Sequence, residues 1–121
     1  MKINLLLLIL ITLSSCGKDD ILSSNEEKIR GTWTLQSISY PREVIYLNNK
    51  KIEFKDDGTF SETHIDKLTK DTTYYGNWTI NQSELTLTFT NGSVSVQSIE
   101  NLTPSELELK IGDQTNKYLI D

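Results

Sequence analysis

From Gly31 onward, apolar and polar residues alternate with a period of two. Leu85, Leu87 and Phe89 interleave with Thr86, Thr88 and Thr90, and Leu107, Leu109 and Ile111 interleave with Glu106, Glu108 and Lys110. Successive side chains of a strand point to opposite faces, so this pattern predicts strands with one apolar and one wet side. The predicted strands span residues 31–40 (stopped by Pro41), 44–47, 52–55, 59–65, 72–80, 84–90, 93–102, 106–111 and 116–120. Between them lie turn-forming residues, including Asn48-Asn49, Asp56-Asp57-Gly58, Asn81-Gln82, Thr103-Pro104 and Gly112-Asp113. Asn91-Gly92 is the strongest hairpin signal, because Asn-Gly suits the type I′ turn whose twist matches that of the strands. Ahead of the first strand, Ser24 or Asn25 caps a short helical turn whose acidic Glu26 and Glu27 suit the helix dipole. Eight or nine short antiparallel strands in sequence order must stack or close, and closure removes exposed edges. The expected fold is therefore all-β: an up-and-down antiparallel barrel of about eight strands, closed or half-closed, after a short N-terminal helical turn.

Composition agrees with that reading and adds a compartment. Alanine is absent while Thr, Ser, Ile and Leu are abundant, a bias toward strands. The 121 residues accommodate one domain. The first residues are of another kind: Lys2 precedes an apolar run, Leu5 to Leu13, interrupted only by Thr12. At ~1.5 Å per residue such a run reaches only about half of a ~30 Å hydrocarbon core, which marks a signal peptide and not a permanent span. Leu13-Ser14-Ser15-Cys16-Gly17 follows and resembles the lipobox of bacterial lipoproteins, in which the Cys is acylated and becomes the new N-terminus. Cys16 is the one cysteine, so it has no disulfide partner within the chain. The expected organisation is a signal peptide over residues 1–15, a lipidated tether over 16–25 and the β-barrel domain over 26–121, with acyl chains on Cys16 as the membrane attachment.

Lys18-Asp19-Asp20 resembles the Lys-acidic-acidic tag that some Gram-negative lineages use to send lipoproteins to the outer face of the outer membrane. A solvated tether without an address is the competing reading. Without Lys2 the chain carries 11 basic against 17 acidic residues, a net charge of −6. That balance repels phosphate backbones and anionic head groups, so no nucleic-acid partner is expected.

Gly31-Thr32-Trp33-Thr34-Leu35 returns 45 residues later as Gly76-Asn77-Trp78-Thr79-Ile80. Glycine lets the chain bend into the strand, and the indole two residues on is placed to plug one end of the core. With Ile52, Phe54 and the Asp57-Gly58-Thr59-Phe60 turn between the two copies, the set resembles the lipocalin-like domain of bacterial lipoproteins over about Ile29 to Tyr118. The resemblance implies a barrel with an apolar interior that receives a small apolar or amphipathic ligand. The larger lipocalins have a late basic partner for the tryptophan, and here Lys110 and Lys117 are the only basic residues near the end.

Trp33, Phe54, Phe60, Tyr74, Trp78, Phe89 and Tyr118 are the candidates to line a ligand cavity, with the barrel's own core as the competing role for each. Tyr74 stands apart because a buried hydroxyl needs a polar partner. Glu62, His64 and Asp66 share one face of a strand, but with one histidine and no free thiol they are read as an exposed polar strand or loop and not as a metal or catalytic centre. No Ser-His-Asp order or phosphate-binding glycine loop is present. No cofactor and no enzymatic activity are expected. The alternative to a ligand carrier is a surface module with a filled barrel that contacts an envelope protein.

Overall fold

The structure, a computed structural model, describes residues 25–121; the signal-peptide, Cys16 and most tether assignments lie outside the described residues. A helical turn, α1, covers residues 25–29. Nine strands follow: β1 (Gly31–Tyr40), β2 (Glu43–Tyr46), β3 (Lys50–Phe54), β4 (Thr59–His64), β5 (Thr72–Asn81), β6 (Glu84–Phe89), β7 (Val94–Leu102), β8 (Glu106–Ile111) and β9 (Gln114–Ile120). All neighbours pair antiparallel, and β9 returns to β1, with Leu35 opposite Tyr118. Eight strands thereby close the expected barrel. The ninth, β2, continues the line of β3 along the same edge of β1 after a break at Leu47 to Asn49. β3 pairs with Gly31 to Thr34, and β2 with Ser37 to Tyr40. The β1–β2 arm therefore projects past the point where β3 ends.

One end of the barrel is shut. Trp33 and Ile29 are fully buried, and the Trp33 indole Nε1 donates to the Ile29 carbonyl at 2.7 Å. That bond holds α1 across the end. Asn25 Nδ2 donates to the Gln82 carbonyl in the β5–β6 turn at 3.1 Å, so the predicted cap residue spends its side chain on anchoring the turn of helix. Above this plug lie Leu35, Ile52, Phe54, Phe60, Trp78, Leu85, Leu87, Leu107, Leu109 and Tyr118. Trp78 packs edge-on against Phe54 with centroids 5.6 Å apart, and its Nε1 donates to the Lys55 carbonyl.

The two Gly-x-Trp copies need their glycines for different reasons. Gly31 has φ +127°, a conformation that a side chain resists. Gly76 has no such φ, but a Cβ there would stand 2.1 Å from the Thr88 carbonyl oxygen. Phe60 and Phe89, its partners on β4 and β6, meet edge-to-face at 5.1 Å beside the missing side chain.

The seam that closes the sheet is reinforced at the chain's last residue. The Asp121 carboxylate accepts from the Thr34 hydroxyl on β1 and from Lys51 Nζ on β3, the latter at 3.1 Å. The Thr34 hydrogen bond, then Lys51, holds the Asp121 carboxyl below its ordinary 3.8. A carboxyl depressed on folding contributes stability above its unfolded value, and that contribution is lost as pH falls through the folded one. Asp121→Asn is therefore expected to flatten the decline of thermal stability below about pH 4. Superimposable melting profiles for parent and variant between pH 2 and 5 would show that the seam contributes nothing.

Candidate functional site

The end opposite α1 is lined differently. Period-two geometry carries the inward face of these strands past the apolar layer into polar residues: Lys50 beyond Ile52, Glu62 and His64 beyond Phe60, and Asn116 beyond Tyr118. Across the ring, β7 adds Gln97. Ser37, Glu62, Gln97 and Asn116 are all buried. His64 and Tyr74, on the same inward parity but nearer the rim, are 50% and 44% exposed and stand at the solvent edge of this end.

Glu62 is the hub of these groups. Its Oε2 is 2.9 Å from His64 Nε2, and its Oε1 is 3.5 Å from Lys50 Nζ. Lys50 and His64 are register partners across β3 and β4, which brings both onto the same carboxylate. Burial pulls the Lys50 ammonium down, yet Tyr118 and Glu62 outweigh it and hold the group above its ordinary 10.5. Lys50 thus stays protonated and faces Glu62 in a salt bridge. Further round the wall, Gln114 Nε2 donates to Asn116 Oδ1 at 2.9 Å, and Gln97 Nε2 donates to Ser95 Oγ at 3.1 Å. The other end of the Gln97 amide, Oε1, is enclosed and has no hydrogen-bond partner.

The seven aromatic candidates separate along the barrel axis. Trp33, Phe54, Phe60, Trp78 and Tyr118 form the packed floor, and Phe89 is partly buried against it. Tyr74 stands at the rim, edge-on to His64 at 5.4 Å and to Phe89 at 6.5 Å. The expectation of an exposed polar strand for Glu62 is corrected: Glu62 points inward because it shares parity with Phe60. Asp66 is not on that face, for β4 ends at His64 and the Asp66 carboxylate instead caps the loop by accepting from Leu68 N and Thr69 Oγ1. Lys50, Gln97 and Asn116 escaped the sequence reading because their polarity suggested the wet side. Counting in twos from Phe54, Leu85's partner strand and Tyr118 would have found them. Among the described residues, no group of three or more His, Cys, Asp and Glu side chains is placed to hold a metal ion.

A profile of the lipocalin-like domain matches residues 29–109. The chain belongs to the lipocalin-like domain family. The lipocalin-like protein of Bacteroides uniformis ATCC 8492 superposes with a TM-score of 0.71 at 18% identity, covering 78% of this chain and 99% of that one. An uncharacterized protein of Bacteroides eggerthii DSM 20697 superposes with a TM-score of 0.69 at 15% identity, over 77% of this chain and 99% of its own. At these identities the two neighbours share the lipocalin-like barrel and establish nothing finer. No curated protein matches the chain.

Proposed function

We propose that this lipocalin-like protein is a lipid-anchored carrier or receptor that takes a small amphipathic molecule into the open half of its barrel. The supporting observation is the zoning of the barrel interior: an apolar floor closed by Trp33 and α1, and above it Lys50, Glu62, Gln97 and Asn116 facing inward. Burying polar groups costs stability unless each is partnered, and apolar residues in the same places would stabilise the barrel more simply. A wall of this kind suits a molecule with one apolar and one polar end. The anchor reading rests on Leu13 to Gly17, and Lys18-Asp19-Asp20 supports the outer membrane, facing outward, as the address.

Binding is tested by titrating amphiphiles of graded chain length into the full chain reconstituted in lipid nanodiscs and following tryptophan emission. Saturable binding at one molecule per chain is expected, with affinity rising with chain length until the floor is reached. Linear, non-saturating responses would contradict it.

A second reading, an envelope-protein contact, is favoured by the β1–β2 arm. β2 pairs on one side only, and Tyr40 at the end of β1 and Val44, Ile45 and Tyr46 on β2 are exposed. The adjoining groove, lined by Leu35, Leu47, Leu119 and Tyr46, has a volume of about 450 Å³. Pull-down from envelope extracts with Cys16 intact separates the two, since a stoichiometric protein without a bound small molecule favours the arm.

A further inference from the structure

Gln97 is 9% exposed, and its Oε1 accepts no hydrogen bond. Its strand, β7, lies four places from β3 in a ring of eight, so Gln97 faces across the lumen toward the wall that carries Lys50. A buried acceptor left unpartnered has lost its water and gained nothing, so a ligand that donates to it recovers that loss. The Lys50–Glu62 salt bridge already pairs these two charges, so a charged head group would enter without a counter-ion, and a carboxylate also offers Gln97 no donor. An uncharged donor meets neither objection.

Resting on the ligand-binding reading above, we infer that the polar end of the ligand is an uncharged hydrogen-bond donor, a hydroxyl in the simplest case, received by the buried amide of Gln97. A site built around such a contact discriminates against analogues that lack the donor, because they leave the acceptor stranded.

The test uses 1-octanol, octanoate and methyl heptyl ether, three probes of similar length, titrated into the full chain in nanodiscs at neutral pH. Octanol is expected to bind about tenfold tighter than either of the others, one hydrogen bond's worth of discrimination. Gln97→Leu, close in volume and without the acceptor, is expected to abolish that preference and to melt at or above the parent's temperature. Equal affinities for octanol and the ether in the parent, or an octanol preference that survives Gln97→Leu, would overturn the donor requirement while leaving ligand binding intact. A Gln97→Leu chain that melts well below the parent would show the amide already satisfied and overturn it too. Binding of none of the three would remove the ligand-binding reading and this requirement together.

Discussion

Trp33→Ala is expected to lower the unfolding free energy by about 4 kcal/mol, in the range found for large aromatic deletions from a packed core. Two losses combine. The indole is fully buried at the barrel's shut end, where the small side chain leaves a cavity that the β-barrel wall closes only in part. Its Nε1 also ends the exposure of the Ile29 carbonyl, so its removal frees α1 and uncovers Ile29. For a domain near a hundred residues this corresponds to a melting temperature lower by about 15–30 °C. Trp33→Phe keeps most of the apolar volume and drops the hydrogen bond, so a smaller loss of about 1–2 kcal/mol is expected. Equilibrium unfolding in guanidinium chloride measures both. A loss under about 1 kcal/mol for the alanine variant would show that the ring does not plug the barrel.

Cys16→Ser is expected to abolish acylation and signal-peptide cleavage outright. The acidic domain has no electrostatic affinity for anionic lipid, and among the described residues no helix is long and apolar enough to cross a membrane. On this account attachment depends on the acyl chains alone, and stable anchoring takes at least two of them. The parent should incorporate labelled palmitate and partition into the detergent phase of a Triton X-114 extract. The variant should incorporate no palmitate and should retain its signal peptide. Palmitate labelling and processing of the variant at the parent's level would contradict the assignment.

The fold was legible because the signals that specify it are local. Period-two alternation in Glu84 to Phe89 and Glu106 to Ile111, the Asn91-Gly92 turn and the Gly-x-Trp repeat each constrain a few residues, and together they leave closure as the way to bury every apolar face. Boundaries were less so: β3 begins at Lys50 and β9 at Gln114, each two residues earlier than expected, because a residue joins a ladder when its partner strand reaches it. The register breaks between Leu35 and Ser37 and between Ile99 and Asn101 depend on long-range pairing and leave no local trace. The polar half of the lumen was hidden for a related reason. A binary pattern assigns Lys50, Gln97 and Asn116 to solvent by their chemistry, whereas strand parity turns them inward. Positions where the two rules conflict are where a fold departs from its most stable sequence, and here they lie on β3, β7 and β9, all facing the barrel interior.

Chemical-shift mapping by NMR puts binding inside the barrel to the test. On addition of octanol to the isotopically labelled full chain in nanodiscs, saturable shifts are expected at Ser95, Gln97, Glu62, Tyr74 and Asn116, with β2 and the outer groove at Tyr46 and Leu47 unmoved. Shifts confined to Tyr46, Leu47 and Leu119, with the lumen silent, would contradict this by placing binding outside the barrel.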